Sequence, residues 1–332
     1  MKICLYLEFS GFAKNTGIGN SIKHQIDALN KAKVDFTLDA DKFDYDVLHM
    51  NSWGIKSYIK LLKAKKRGIK VVISTHSTVE DQKDSFFIFK IFSPFFKKWF
   101  RFFYSKADLL IAPSYYTKNL LIDAYGLRNR IEVISNGVDV DKFKYDGKKA
   151  KAFKKEYGIK DNLILSVGLI IKRKGVLDFA ELSSRIQAKF IWIGRYMKLL
   201  VESKEINTIM KRRQTNLLFL QKHVEDITAA YSACDIFLFP SFEENEGIVI
   251  LEAASTGRAI VVRDITVFRT YLQDGKNCMM AKSNTDFEKI INRLLADKKL
   301  RNKLGKEARK FALTRSLEEV GLKLKQTYAS LL

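Results

Sequence analysis

The chain has 332 residues, of which 47% are hydrophobic and only 3 are proline, a composition that fits two globular domains and excludes a disordered or low-complexity protein. Its 3 cysteines form no Cys-x-x-Cys pair, which favours a reducing compartment and argues against a zinc site. The 59 basic and 37 acidic residues give a formal net charge of +22. We therefore expect an anionic partner, either nucleic acid or an acidic lipid leaflet, unless the charge serves solubility alone.

Strand and helix signals alternate from the N-terminus onward. The first strand, Lys2–Phe9, is cut short by a charge and is not a signal peptide. A loop containing Gly17 and Gly19 leads into a helix through Ala32, and backbone amides at such a helix start can hold an anion, although a plain turn is the commoner case. Two strands, a basic helix and a third strand follow at 34–38, 46–50, 55–67 and 70–75. This alternation predicts a parallel sheet.

His76 comes directly after the strand Lys70–Thr75. Open α/β sheets bind ligands at the carboxyl ends of their strands, so His76 is a candidate contact to a substrate. A single histidine is more often a structural or solvent-exposed residue, and this alternative stays open.

The segment Ser85–Tyr104 combines 11 aromatic residues with four cations. Ser93 and Pro94 suit the N-cap and first position of a helix, so we predict two helices that meet there. Neither can span a bilayer, which needs roughly 20 apolar residues. The pattern favours a membrane interface, although the rings could instead pack in the core or stack on nucleic-acid bases. The predicted membrane-binding residues are Phe86, Phe87, Lys90, Phe95, Phe96, Lys97, Lys98, Trp99 and Arg101.

A linker at 143–149 follows a turn that contains Asp139 and Asp141. These two residues have the spacing of an Asp-x-Asp metal site, but their place in a turn before a linker argues against metal binding. Beyond the linker, Asn162–Gly168 is a strand that ends in glycine, and Arg173 and Lys174 enter the next helix. Charge and helix amides together can hold a diphosphate there, and the alternative is a solvated basic turn.

Two glutamates flank a helix start in the most informative stretch of the chain. The buried strand Asp235–Phe239 leads through a polar loop with Glu244 to Gly247, Ile248 and a helix that contains Glu252. Glu244 and Glu252 can therefore face one pocket above the carboxyl end of the strand. An acidic loop that only caps the helix is the alternative, because anions near a helix N-terminus are favourable.

The block Pro-Ser-x-x-Glu at 240–244, with a glycine three residues later and then Leu-Glu-Ala, resembles the donor-site signature of glycosyltransferase family 4. The resemblance implies the α/β GT-B fold, with two Rossmann-like domains facing a cleft and a C-terminal helix that crosses back to the first domain. It also implies sugar transfer from a nucleotide diphosphate with retention. Glu244 would hold hydroxyls of the donor sugar and Glu252 the ribose, while Gly247 and Ile248 would belong to the same donor site.

The remaining candidate residues follow from the same resemblance. Arg173 and Lys174 would bind the diphosphate beside Gly168, and Gly17 and Gly19 would face it from the first loop. The region of His76 is similar to the active-site histidine region of membrane glycolipid glycosyltransferases, which implies a contact to the transferred sugar or the acceptor hydroxyl.

The chain also departs from the family pattern at two positions. Asn245 replaces a usual glycine, so the loop can close differently on the sugar, and Glu246 adds a carboxylate of unknown role. Leu169 replaces a usual arginine, so Arg173 beside Lys174 is assigned to the diphosphate instead.

Within the family the chain is most similar to bacterial membrane glycolipid synthases. This implies transfer of α-glucose from UDP-glucose to monoglucosyldiacylglycerol by a peripheral protein at the cytoplasmic face of the membrane, with anionic lipids and no nucleic acid as partners. We expect no prosthetic group and no protein metal site, with Mg²⁺ at most stimulatory. The expected domains are 1–145 for acceptor and membrane, 146–312 for the nucleotide sugar, and 313–332 as the returning helix.

Three alternatives stay open. The enzyme could add the first sugar to diacylglycerol, or it could build a polysaccharide or lipopolysaccharide. More remotely, the chain could be a basic nucleic-acid-binding protein on a Rossmann scaffold.

Overall fold

The computed structural model describes residues 1–8, 17–83, 89, 91–196, 203–211, 215–221 and 226–332. The chain divides into two domains. The first consists of described residues within Met1–Gln82, Ile91–Gly137 and Arg315–Leu332, and the second is built mainly from Val138–Thr314.

Each domain contains a parallel six-stranded sheet, with strand order β2-β1-β3-β4-β5-β6 in the first and β12-β11-β10-β7-β8-β9 in the second. The strands are β1 (Lys2–Tyr6), β2 (Asp35–Thr37), β3 (Val47–Met50), β4 (Lys70–Ser74), β5 (Leu109–Ala112), β6 (Ile131–Val133), β7 (Leu163–Val167), β8 (Lys189–Ile193), β9 (Leu217–Leu220), β10 (Ile236–Phe239), β11 (Ala259–Arg263) and β12 (Met279–Ala281).

Helices alternate with these strands. They are α1 (Gly17–Lys31), α2 (Ile55–Lys66), α3 (Val79–Lys83), α4 (Ser93–Ser105), α5 (Tyr115–Asp123), α6 (Gly147–Glu156), α7 (Val176–Ser183), α8 (Lys204–Lys211), α9 (Ile227–Ala233), α10 (Ile248–Ser255), α11 (Thr266–Arg269), α12 (Asn284–Ala296), α13 (Lys298–Leu313) and α14 (Leu317–Ala329). Among the helices of the described residues, none is long and apolar enough to cross a membrane.

The inner strands of both sheets are short, mainly apolar runs that are buried on both faces, whereas the edge strands are partly exposed. Every residue of β5 and of β10 is buried. This is typical of parallel sheets that carry helices on both sides. In the second sheet Ile236 pairs with Ile164 and Phe239 with Val262, so the carboxyl ends of β7, β10 and β11 lie at one edge.

The C-terminal helix α14 packs against α1 within the first domain, as predicted. A Cβ atom at Gly321 would lie 2.2 Å from the carbonyl oxygen of Ala28, so the two helices approach each other more closely than any other residue would allow. Leu317 and Leu324 complete the contact and join the core beneath the first sheet.

Two predicted boundaries differ from the structure. The described part of α1 already includes Gly17 and Gly19, so both candidate glycines are helical, whereas the sequence predicted a loop there. Ser93 is the first residue of α4 and not its N-cap, which is Phe92, so that prediction was wrong by one position.

Candidate functional site

Two loops of the second domain meet above the adjacent strands β7 and β10. Gly175 has a φ of +76°, and a Cβ atom there would lie 2.3 Å from the carbonyl oxygen of Pro240. Only glycine therefore allows the basic turn before α7 to approach the loop after β10. The amide of Phe242 donates to the carbonyl of Arg173 at 2.8 Å and joins the two loops.

Glu244 lies between these loops. Its Oε1 accepts hydrogen bonds from Ser241 Oγ at 2.7 Å and from Lys174 Nζ, and Arg173 NH1 lies 3.6 Å away. The side chains of Glu244 and Arg173 are only 7% and 8% exposed. We call Glu244, Lys174 and Arg173 the ionic cluster. The sequence assigned all three residues to one donor site, and the structure shows that their side chains lie together.

Two cations in the ionic cluster face one carboxylate. Burial opposes ionisation of the carboxyl, but the positive charges of Lys174 and Arg173 outweigh it, so the pKa of Glu244 lies below its usual value. Taken by themselves, these three side chains carry one more positive than negative charge.

The cations of the basic turn differ in what they contact. Arg173 NH1 donates to the carbonyl of Glu243, so its guanidinium holds the acidic loop as well as the carboxylate. Lys174 Nζ lies 5.3 Å from the centre of the Phe239 ring. Lys172 pairs instead with Glu205 at 2.7 Å and is half exposed.

Arg263, at the end of β11, is a residue to which sequence reasoning assigned no role. Its Nε donates to the carbonyl of Pro240 at 3.0 Å, and its guanidinium lies 3.8 Å from the centre of the Phe242 ring. Asp178 lies 3.2 Å from NH2. Arg263 therefore holds the start of the acidic loop at Pro240 and Phe242, whereas Arg173 holds it at Glu243. The visible signal in the sequence was a charged residue at the end of an otherwise apolar strand.

Glu252 lies inside α10 in a different environment. Tyr231 Oη donates to its Oε2 at 2.6 Å. Burial raises the pKa of Glu252 to about 7, although the Tyr231 hydrogen bond and the charge of Lys142 favour ionisation. The two candidate glutamates therefore have pKa values shifted in opposite directions.

Gly247 is the N-cap of α10, with a φ of +93°, and Ile248 is the first helical residue. The free amides of this helix start thus follow directly on the acidic loop. In that loop Glu246 is buried, and Tyr271 Oη donates to its carbonyl oxygen.

Gly168 follows β7 at the same edge of the sheet. Trp192 Nε1 donates to its carbonyl oxygen at 2.8 Å. A Cβ atom at Gly194 would lie 1.8 Å from that oxygen, so the loops after β7 and β8 touch backbone to backbone.

His76 lies in the first domain, just past β4, and is partly buried. Its Nε2 is 3.0 Å from Asn51 Oδ1. Burial lowers the pKa of His76 to about 4, so the imidazole is neutral at pH 7. A neutral ring donates through one nitrogen and accepts through the other, which suits positioning of a hydroxyl.

α4 carries the described part of the predicted membrane surface. Phe95 is 65% exposed, and Lys98 and Arg101 are exposed as well. Three predicted members of this surface lie outside the described residues: Phe86, Phe87 and Lys90.

The other predicted membrane residues of α4 also have partners within the first domain. The Phe96 ring meets the Trp53 ring edge-on, with centroids 6.1 Å apart, and Trp99 Nε1 donates to the carbonyl of Trp53 at 2.9 Å. Lys97 Nζ lies 3.6 Å from Glu80 Oε1.

Asp139 stabilises a turn at the start of the second domain. Its Oδ1 accepts from the backbone amides of Asp141 at 3.1 Å and Lys142 at 3.0 Å. Within the described ranges, no group of three His, Cys, Asp or Glu side chains is placed to hold a metal ion.

Comparison with known proteins gives the context of this geometry. Residues 21–142 match the family described as glycosyltransferase family 4, and residues 148–311 match glycosyl transferases group 1. The chain is 32% identical to a processive diacylglycerol alpha-glucosyltransferase of Acholeplasma laidlawii, over 99% of this chain and 98% of the relative. It is 26% identical to the alpha-galactosylglucosyldiacylglycerol synthase of Streptococcus pneumoniae, over 77% and 71% of the two chains.

The fold is shared with solved structures of low sequence identity. HepE of Anabaena, solved in complex with UDP and glucose, is 17% identical and superposes with a TM-score of 0.81 over 99% of this chain and 100% of that one. Two parallel-sheet Rossmann-like domains are the GT-B architecture that the sequence predicted. Because two family models match its two domains and a 32% identical relative matches over nearly its whole length, the chain belongs to glycosyltransferase family 4 and is a glycosyltransferase of the GT-B fold.

Proposed function

We propose that the enzyme moves glucose from UDP-glucose to monoglucosyldiacylglycerol with retention of the α configuration, giving diglucosyldiacylglycerol at the cytoplasmic leaflet. The observation that carries the proposal is the ionic cluster in a chain that is similar over its whole length to a diacylglycerol alpha-glucosyltransferase.

The ionic cluster suits a nucleotide-diphosphate donor. In the reaction the sugar becomes oxocarbenium-like while negative charge grows on the departing diphosphate. Lys174 and Arg173 would stabilise that charge electrostatically. As the diphosphate takes over the cations, Glu244 becomes available to accept hydrogen bonds from glucose hydroxyls. Glu252 would do the same for the ribose, and the UDP and glucose bound by the structurally similar HepE support this choice of donor.

In the first domain, His76 would contact the acceptor. The segment of α1 with Gly17 and Gly19 would face the donor phosphates. A neutral histidine can position an attacking hydroxyl without adding charge next to an oxocarbenium-like sugar. We assign Mg²⁺ no protein site, so any stimulation would act through the donor phosphates.

The membrane part of the proposal rests on α4 together with its neighbour α2, which the sequence indicated only as a basic helix. Ile55, Ile59 and Leu62 are 72%, 46% and 46% exposed and lie on one face of α2. The Tyr58 ring of α2 lies 5.9 Å from Trp99 and 5.4 Å from Phe102 on α4.

The exposed apolar residues of the two helices therefore form adjacent stripes, and exposed cations accompany both. On α2 these are Lys56, Lys63 and Lys66, and on α4 they are Lys98 and Arg101. Apolar groups that enter the acyl boundary beside cations at anionic headgroups are what interfacial binding needs. Such docking would bring the acceptor site to its lipid.

A second candidate is addition of glucose to diacylglycerol itself, followed by further additions. One observation favours it, namely that the 32% identical relative is named a processive diacylglycerol alpha-glucosyltransferase. The two candidates share the donor and differ only in the first acceptor.

Transfer of radiolabel from UDP-glucose decides between them. Mixed micelles would contain diacylglycerol, monoglucosyldiacylglycerol or a polyprenyl-diphosphate sugar, each with and without anionic lipid. We expect product from monoglucosyldiacylglycerol alone, more of it with anionic lipid, and none from Glu244→Ala.

The other outcomes are equally informative. Product from diacylglycerol would select the second candidate, and product only from the polyprenyl acceptor would move the enzyme to polysaccharide or lipopolysaccharide synthesis. Salt-sensitive binding of nucleic acid that survives in Glu244→Ala, without any turnover, would support the nucleic-acid alternative.

A further inference from the structure

The segment that carries His76 is tied along its length to three neighbouring parts of the first domain. We call residues 75–80 the histidine loop, which leads from β4 into α3. At its start, the amide and the hydroxyl of Thr75 both donate to the carbonyl oxygen of Ile111 in β5, at 2.9 and 3.0 Å. The other contacts come from α4 and from the segment that follows α5.

Tyr104, near the end of α4, holds the residue directly after His76. Its Oη donates to the carbonyl oxygen of Ser77 at 2.7 Å, and both residues are buried. Burial raises the pKa of Tyr104, so the phenol keeps its proton and donates at pH 7. Loss of this hydroxyl therefore takes a donor away from a carbonyl that lies inside the protein, which is costly.

Tyr125, just past the end of α5, holds the other end of the histidine loop with two hydrogen bonds. Its Oη accepts from the amide of Val79 at 2.8 Å and donates to Oε2 of Glu80 at 2.8 Å. The ring is buried as well. Val79 is the first residue of α3, and an amide at that position has no acceptor within its own helix. Tyr125 supplies that acceptor.

Lys97 of α4 adds a weaker contact to the same end of the loop. Its Nζ lies 3.6 Å from Oε1 of Glu80 and 5.2 Å from the centre of the Tyr125 ring. The Lys97 side chain is 40% exposed, so this ion pair contributes less than the tyrosine hydrogen bonds. Lys97 precedes Tyr104 by about two helical turns, so both residues lie on the face of α4 that contacts the histidine loop.

We infer that Tyr104 and Tyr125 are positioning residues for sugar transfer, which fix the histidine loop so that His76 meets its hydroxyl in one orientation. Because Tyr104 belongs to the same helix as the exposed Phe95 and Lys98, α4 connects the proposed membrane surface with the acceptor side of the site. The inference rests on the proposed function for the role of His76, whereas the contacts of the loop do not depend on that function.

Hydrogen exchange of the backbone amides in the full-length protein tests the loop contacts without any substrate. In Tyr125→Phe we expect the amide of Val79 to exchange about tenfold faster, because its acceptor is gone. In Tyr104→Phe we expect faster exchange across residues 75–80, since the loop is then held at its two ends only. NMR or mass spectrometry of short peptides gives the required resolution.

A double-mutant cycle between Tyr104→Phe and His76→Ala tests whether the tyrosine acts through the histidine. We expect Tyr104→Phe to lower kcat about tenfold, equivalent to about 1.4 kcal/mol, with the KM for UDP-glucose unchanged. In the His76→Ala background the same substitution should have no further effect, because the side chain that it orients is missing. The cycle uses whichever acceptor gives product in the radiolabel assay.

Tyr45→Phe is the matched control for both measurements. Tyr45 is another buried tyrosine of the first domain, and its Oη donates to a backbone carbonyl, that of Ala40, at 2.9 Å. The control therefore loses a bond of the same kind outside the histidine loop. We expect it to leave both the exchange of residues 75–80 and kcat unchanged.

Three results would overturn the inference: unchanged exchange of Val79 in Tyr125→Phe, a normal kcat in Tyr104→Phe, or additive losses of kcat in the cycle. A wrong acceptor assignment appears separately, as product from a different acceptor, and leaves the logic of the cycle intact. Full activity of His76→Ala would contradict the proposed role of the histidine and with it the reaction role of both tyrosines, while the exchange results would still report on the loop.

Discussion

The two domains hold their candidate residues in contrasting ways. In the second domain a buried carboxylate is clamped by Lys174 and Arg173, so the site is built from charge. In the first domain His76 Nε2 lies 3.0 Å from the neutral side chain of Asn51, and burial lowers the pKa of His76 and keeps the imidazole uncharged. A diphosphate needs compensating charge, whereas a hydroxyl needs only a directed hydrogen bond. The contrast fits a donor on the second domain and an acceptor on the first.

The two modes also differ in how they fail. Removing one partner of a buried ion pair leaves an uncompensated charge. Breaking a hydrogen bond between neutral side chains changes no charge and mainly loosens the orientation of the groups that it joined. Substitutions in the two domains should therefore affect different kinetic parameters.

The largest effect is expected from Glu244→Ala. Loss of the carboxylate should lower kcat/KM by about 10³-fold, because the donor sugar loses its main acceptor in the reacting complex. UDP should still bind, since Lys174 and Arg173 are then released for the diphosphate. Steady-state kinetics and calorimetric titration with UDP measure both quantities, and activity within tenfold of the wild type would remove Glu244 from the site.

Lys174→Ala should be next, with the KM for UDP-glucose raised about a hundredfold, or about 2.7 kcal/mol, through loss of a charge-assisted contact. Lys172→Ala is the matched control, because Lys172 stands on the same turn but pairs with Glu205. We expect the control to stay within twofold of the wild type. Equal effects of the two substitutions would mean that only the overall charge of the turn matters.

A smaller effect is expected at the predicted membrane surface. Replacing both Lys98 and Arg101 by glutamine should weaken binding to anionic vesicles about thirtyfold, at about 1 kcal/mol for each cation. Lys151 and Lys155 are exposed cations of the second domain, and the same double replacement there is the control. Vesicle co-sedimentation at two salt concentrations measures the difference, and equal losses in both variants would argue against a localised surface.

The smallest effect concerns stability. The pKa of Glu252 is raised to about 7 from an ordinary 4.5, so between these values the folded protein keeps a proton that the unfolded chain has lost. Stability therefore falls as pH rises through this window. Glu252→Gln should be about 1 kcal/mol more stable than the wild type at pH 8, because it avoids the buried charge while Tyr231 keeps an acceptor.

Urea unfolding at pH 4.5 and pH 8 tests the direction of this pH dependence of stability. The advantage of Glu252→Gln should appear at pH 8 and vanish at pH 4.5. A glutamine variant less stable than the wild type at pH 8 would show that the carboxylate is favoured where it lies. Weaker binding of UDP-glucose should accompany the gain in stability.

The parts that sequence could predict are those encoded by neighbouring residues. The strands could be predicted from short aliphatic runs. The spacing of Glu244, Gly247 and Glu252 predicted that these three residues lie around the start of α10. The sequence also assigned Lys174 and Glu244 to one donor site, although it did not predict their ion pair.

The parts that escaped prediction depend on contacts between distant residues. His49 and Tyr328 are 279 positions apart and meet only because α14 returns to the first domain. A histidine inside the buried strand Val47–Met50 was the visible signal, since a polar ring in such a run needs a partner. The exposed stripe of α2 escaped prediction for a different, local reason. The many lysines of this helix obscured the spacing of Ile55, Ile59 and Leu62.

Full two-substrate kinetics on Lys174→Ala and His76→Ala tests the central claim most directly. If charge in the second domain serves the donor and His76 in the first domain serves the acceptor, Lys174→Ala raises the KM for UDP-glucose and leaves the KM for the lipid acceptor unchanged. His76→Ala lowers kcat and leaves the donor KM unchanged. Donor KM values that rise equally in both variants, or an unchanged donor KM in Lys174→Ala, would contradict the account.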